Sequence, residues 1–138
     1  MFSRKVYYGL RFLLVLASRG GELPVGVGEL AVNEGLPVKF MEAIAVSLRK
    51  HALVNVKRGA GGGYRLAKPL DQISLYEVVA ALEDKAEKVP EGESHKAIAV
   101  EKYMDEVKNE YHTFLESCSL KRLKELLDDE NQQVMYYI

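Results

Sequence analysis

The chain has 138 residues, 48% apolar and 28% charged, with a formal net charge of −1, which is the size and composition of an ordinary globular protein of one domain, or of one domain plus an arm. Its one cysteine, Cys118, excludes an intramolecular disulfide and a cysteine-rich zinc or iron–sulfur site within the chain. No apolar run nears the ~20 residues of a membrane span, and Arg4 and Lys5 precede only a short apolar stretch, Phe12 to Ala17, without a cleavage site, so no signal peptide is read and a cytoplasmic location is expected.

The small net charge conceals a segregation. Residues 1–68 hold eleven Lys/Arg against four Glu, a net of +7, whereas residues 69–138 hold eight against sixteen Asp/Glu, a net of −8. A basic half joined to an acidic half suits a polyanion-binding module attached to a differently employed partner. Chance segregation of solvated charge has the same composition, so the order of elements must decide.

Val6, Leu10, Leu13, Leu14 and Ala17 fall at i, i+4, i+7, i+8 and i+11 and predict a first amphipathic helix, ended by Gly20-Gly21. A second, short helix is expected over Val27 to Glu34 with Leu30 and Ala31 inward; Gly26 and Gly28 give it a poor start. Gly35 supplies a turn, and Pro37 suits the first turn of a third helix reaching about His51. Met41, Ile44, Ala45 and Leu48 line its inner face, with Phe40 at the border. Lys39, Glu42, Ala43, Val46, Arg49 and Lys50 lie opposite. Helix, turn and helix in this order make a helix-turn-helix unit.

The period then becomes strand-like. Leu53 to Lys57 and Tyr64 to Ala67 read as two short strands joined by Arg58-Gly59-Ala60-Gly61-Gly62-Gly63, a loop too glycine-rich to pack a core. A hairpin with a basic tip after a helix-turn-helix is a wing. Glycines let backbone approach phosphates, and Arg58 is placed to enter a minor groove. A nucleotide-phosphate loop competes for this stretch, but there is no G-K-[ST], Tyr64 occupies the last glycine position of a G-x-G-x-x-G, and a strand follows rather than a helix.

Pro69 closes that unit. Ser74 and Glu77 form a capping box, and Ile73 with Val78 a hydrophobic staple, for a fourth helix from Leu75 to about Glu83. Asp84 to His95, charged and containing Pro90 and Gly92, reads as an exposed loop. Val100, Tyr103, Met104, Val107, Tyr111, Phe114 and Leu115 then form one stripe along a helix of about twenty residues, roughly 30 Å long. The stripe packs either onto its own domain or onto a second copy. The small preceding domain offers little surface to cover it, which favours a homodimer, as does the two-fold pairing common among DNA readers. A last helix from Leu120 to Leu127 is capped by Ser119, and the tail Val134 to Ile138 is expected as a short strand. There are no internal repeats.

The third helix is the candidate base reader: Glu42 can accept from a cytosine amine and Lys39 can reach a guanine or phosphate, while Arg49, Lys50 and Lys57 suit phosphates. For each charge the alternative is plain solvation, and a carboxylate near phosphates opposes binding unless it reads something. Cys118, His95 and His112 raise a metal or thiol hypothesis, but a Cys near a helix junction is usually a small apolar residue, and no carboxylate pair or Ser-His arrangement stands out. No enzyme is expected.

Ser3-Arg4-Lys5 with Tyr8-Gly9-Leu10, Phe40-Met41-Glu42 with Leu48-Arg49-Lys50 and Leu53-Val54, the wing run Arg58 to Leu66, and Ala81-Leu82-Glu83 together resemble the Rrf-two (Rrf2) family of winged helix-turn-helix regulators. The likeness is specific over residues 2–83 and weaker beyond, where Thr113 to Leu126 is similar to the family's usual ending and Met135-Tyr136-Tyr137-Ile138 to its cysteine-metabolism branch. The resemblance implies a mainly α fold with a small β-wing: a winged helix-turn-helix domain over 1–83, a loop over 84–96, and a dimerisation helix with a C-terminal helix and tail over 97–138. It implies Glu42 as a base reader and Arg58 as the minor-groove residue. Where many members carry Gln after that glutamate, this chain has Ala43. The full candidate DNA-contacting set is Ser3, Lys5, Lys39, Glu42, Ala43, Arg49, Lys50, Lys57, Arg58, Gly59 and Tyr64. Cluster-binding members carry three cysteines before the dimer helix; the corresponding stretch, Asp84 to His95, has none, so no cofactor is expected. The expected function is a homodimeric repressor binding double-stranded operator DNA and responding to a small molecule, a partner protein, or no direct signal. The alternative is a protein-interaction module whose winged helix has lost DNA binding.

Overall fold

The computed structural model describes residues 1–19, 23–85 and 87–136. In chain order the elements are α1 (Arg4–Ser18), α2 (Val27–Glu34), α3 (Val38–Lys50), β1 (Val54–Lys57), β2 (Gly63–Leu66), a 3-10 turn (Leu70–Gln72), α4 (Leu75–Leu82), α5 (His95–Ser117) and α6 (Leu120–Tyr136). The architecture is mainly helical with one two-stranded antiparallel sheet, as the sequence leads one to expect.

α1 is the central pillar, touching α3, α4 and β2. It buries Val6, Gly9, Phe12, Leu13 and Leu16, a face rotated from the expected one, because Leu10, Leu14 and Ala17 are only partly covered. Gly9 explains the rotation. A Cβ there would collide with Leu82 Cδ1, so the missing side chain is what lets α4 lie against this side of α1. The expected end of this helix at Gly20-Gly21 falls outside the described residues.

α2 spans the residues expected, and Gly35 closes it in the left-handed conformation. α3 buries Met41, Ile44, Ala45 and Leu48, the inner face read from the 3.6-residue period. Phe40, at its border, meets Tyr8 edge-on with ring centroids 5.4 Å apart. The strands pair Val54 with Leu66 and Lys57 with Gly63, each strand beginning one residue from the expected place.

At α4 the capping box forms as read: Ser74 Oγ accepts from Glu77 N at 3.3 Å, and Glu77 Oε2 accepts from Ser74 N at 2.9 Å. Lys68 Nζ donates to the other carboxylate oxygen at 2.6 Å. Burial raises the Glu77 pKa, but the Lys68 and Ser74 hydrogen bonds and the Lys68 charge outweigh it and hold the group below its ordinary 4.5.

Two readings beyond residue 83 need correction. The expected loop runs too far, since His95 and Lys96 already belong to α5, whose N-cap is Ser94 with its hydroxyl accepting from Ala97 N at 3.1 Å. The expected strand at Val134 and Met135 is instead the continuation of α6, which has 17 residues rather than eight. Asp128 to Gln133 is polar, but it contains no glycine or proline to stop a helix. Tyr137 and Ile138, the rest of that expected strand, lie outside the described residues.

The C-terminal helices are tied to the rest by backbone. Leu75 N donates to Cys118 O at 2.8 Å and Leu120 N to Ile73 O at 2.9 Å, either side of a bridge between Ser74 and Ser119. Leu120 is buried and joins the main core. Ser119 caps α6 as expected, accepting from Lys121 N at 3.1 Å.

Candidate nucleic-acid interface

The core side of α3 is sealed, so its other side is fixed outward. Lys39, Glu42, Ala43, Arg49 and Lys50 are all exposed there. Lys57, Arg58 and Gly59 are exposed on the wing. Lys5, Arg11, Arg19 and Lys68 each lie in an ion pair with a carboxylate of their own chain. Among the described residues, Lys39, Arg49, Lys50, Lys57 and Arg58 have no such partner. Cations left without internal carboxylates on one helix face and one hairpin are what phosphate neutralisation requires.

The wing is anchored at its base, which the sequence did not reveal. Val25, just before α2, pairs with Tyr64 through Val25 N to Tyr64 O and Tyr64 N to Val25 O, both 2.8 Å. The Tyr64 ring meets Phe12 edge-on, with centroids 5.8 Å apart. Tyr64 therefore holds the hairpin against α1. Arg65, absent from the expected set, is exposed between half-buried Tyr64 and Leu66. The alternation of the strand contained that signal.

Ser3 and Lys5 are held to the end of α4. Ser3 donates from its amide at 2.9 Å and from its hydroxyl at 2.6 Å to Glu83 Oε1, and Lys5 Nζ lies 3.3 Å from Asp84 Oδ1. These contacts fix where the start of α1 lies.

On α5, Val100, Tyr103, Met104, Val107, Tyr111 and Phe114 are all exposed, Tyr103 at 64%. Leu115 departs from the stripe: at 2% exposure it is covered by its own chain and is withdrawn from any partner. α5 is secured to α4 by Tyr76 stacked on His112 at 3.7 Å, with His112 Nε2 2.7 Å from Glu116 Oε1. Cys118 is half-buried, its thiol donating to Phe114 O at 3.3 Å. Among the described residues no group of His, Cys, Asp and Glu is arranged to hold a metal ion. No helix there is long and apolar enough to cross a membrane.

A three-helix core carrying a helix-turn-helix, followed by a two-stranded hairpin with a glycine-rich basic tip, defines a winged helix-turn-helix protein. The Rrf2 family, described as iron-dependent transcriptional regulator, matches residues 2–126. The HTH-type transcriptional regulator CymR of Bacillus subtilis is 29% identical over 136 residues, covering 99% of this chain and 98% of that protein. Protein rrf2 of Nitratidesulfovibrio vulgaris is 40% identical over 77 residues, 56% of this chain and 51% of its own length. The solved structure of T. potens IscR superposes with a TM-score of 0.67 at 30% identity, covering 99% of this chain and 96% of that one. Several relatives are matched over only 60%, 51% or 50% of their length. This chain belongs to the Rrf2 family of transcriptional regulators, and the relatives it matches are transcriptional regulators.

Proposed function

We propose that this regulator is a cytoplasmic homodimer that binds operator DNA sequence-specifically through residues 1–83 and acts as a repressor. The observation that carries the reading is the set of exposed cations on α3 and the wing that pair with no carboxylate among the described residues. α3 enters the major groove, where Glu42 accepts from a cytosine amine and Lys39 reaches a guanine or a phosphate; Ala43 faces the same groove. Arg49, Lys50 and Lys57 meet phosphates, Arg58 enters the minor groove behind Gly59, and Ser3, Lys5 and Tyr64 fix the surfaces that flank them.

Residues 97–138 supply dimerisation. α5 leaves Val100, Tyr103, Met104, Val107, Tyr111 and Phe114 in water, and 23 residues give it a length of about 34 Å. A second copy of the same helix offers a matching stripe, with a two-fold axis that mirrors a palindromic operator. The net of −8 over residues 69–138 keeps that end away from phosphates and orients the dimer on DNA.

The family description includes iron, but the donor set of this chain does not fit a cysteine-ligated cluster. The segment before α5 has no cysteine. Cys118 caps the far end of that helix with its thiol turned to Phe114 O. Two copies of this chain carry two thiols between them. The regulator works without a cluster and responds to a small molecule, a partner protein, or no direct signal.

The test is fluorescence anisotropy on the DNA upstream of its own gene, titrated with salt. Saturable binding at one dimer per site that weakens steeply as salt rises is expected. Equally weak binding to that DNA and to random DNA would favour the protein-interaction module instead.

A further inference from the structure

The centre of the outward face of α3 is an apolar residue that lies outside the buried core. Val46 lies four and three residues after Glu42 and Ala43, and three and four before Arg49 and Lys50. On a helix this makes it the neighbour of all four. It is 37% exposed and takes no part in the core cluster. Helix formation does not account for it either, since a β-branched side chain in an exposed mid-helix position is less favourable than Lys, Glu, Gln or Ala. Its isopropyl group stands inside a ring of side chains suited to phosphates and base edges.

The floor of the major groove is polar almost everywhere. Pressed against an amine, a carbonyl or a ring nitrogen, a valine would strip water from that group and offer no hydrogen bond in return. One feature of the groove rewards an apolar side chain, the C5-methyl of thymine. We propose that Val46 reads a thymine methyl group in the operator and is a specificity-determining residue, an inference that rests on the DNA-binding function proposed above. Ala43, exposed one turn earlier, extends the same apolar patch. The four-residue step from Glu42 to Val46 is about 6 Å along the helix, against about 3.4 Å per base pair. The thymine therefore lies within about two base pairs of the base that Glu42 reads.

The full chain is used to select binding sites from random-sequence duplexes, and the winning duplex is resynthesised with deoxyuridine replacing one thymine at a time. Uracil keeps every hydrogen-bonding group of thymine and lacks only the methyl. At one position near the cytosine read by Glu42, loss of the methyl should weaken wild-type binding about fourfold, the worth of one buried methyl group. Val46→Ala, which lacks both γ-methyls, should bind the thymine and uracil duplexes nearly alike while keeping the wild-type salt dependence. Circular dichroism confirms that the variant is folded. Wild-type binding indifferent to uracil at every position, or a Val46→Ala protein that discriminates as well as wild type, overturns the assignment while DNA binding stands. Failure to enrich any sequence removes the DNA-binding reading itself, and this inference with it.

Discussion

Tyr64 and Val25 exchange two backbone hydrogen bonds of 2.8 Å, so the wing and the segment leading into α2 form one piece. The hairpin is thereby positioned relative to the helix-turn-helix by main chain, and its tip by the loop alone. Gly63 makes the exchange feasible. Its φ is +150°, and a Cβ there would stand 2.5 Å from the Val25 carbonyl. Gly63→Ala should therefore push the hairpin off that segment, at a cost of about 1–3 kcal/mol for the unfavourable backbone. A lower urea midpoint together with weaker DNA binding is expected. An unchanged midpoint would show that the pairing is dispensable.

Arg58 stands exposed at the start of the wing tip, and no carboxylate of the described residues pairs with it. Arg58→Ala should raise the Kd for specific DNA by roughly five- to a hundredfold, the range for losing one well-placed arginine contact. The proposed dimer and the thermal midpoint should not move, because no described residue pairs with that guanidinium. Anisotropy at fixed salt and sedimentation of the same samples check both halves. Unchanged affinity would remove Arg58 from the interface.

Much of this arrangement was legible in the sequence because it depends on local period and local chemistry. Met41, Ile44, Ala45 and Leu48 announce the buried side of α3, and Ser74 with Glu77 announces the start of α4. The glycine run between two short strands announces the wing. Relationships between distant segments were not legible. The face α1 buries is set by Leu82 arriving over Gly9, seventy-three residues away in sequence, and the Val25–Tyr64 pairing joins segments with no shared pattern. The length of α6 was misread for another reason. Asp128 to Gln133 carries no apolar stripe to mark a helix, although nothing there breaks one.

Leu115 and Tyr103 sit on the same helix in opposite situations, one buried in its own chain and the other 64% exposed. Truncation should separate fold from assembly. Leu115→Ala should destabilise the chain itself by about 2–5 kcal/mol, the usual cost of removing a buried leucine side chain. Tyr103→Asp should leave circular dichroism unchanged and convert the protein from two chains to one, because a carboxylate desolvated in an apolar seam opposes association. Light scattering after size exclusion reads the second effect. A Tyr103→Asp protein that remains dimeric would move the interface off this stripe.

Glu77 joins the wing domain to α4 electrostatically, accepting from Lys68 at 2.6 Å and from Ser74 N at 2.9 Å. Its folded-state pKa is lowered below the ordinary 4.5, since the Lys68 and Ser74 contacts outweigh the opposing effect of burial. A depressed carboxylate contributes stability that is fully present above its unfolded pKa and is lost as pH falls through the folded value. Wild-type stability should therefore decline below about pH 4.5 by an amount that includes this group, while Glu77→Gln should be less stable at neutral pH and show a shallower acid decline. Ser74→Ala should cost about 1 kcal/mol as a lost N-cap. Urea melts of the three proteins across the acid range provide the comparison. Parallel acid declines in wild type and Glu77→Gln would mean that the Lys68 contact does not lower the Glu77 pKa in solution.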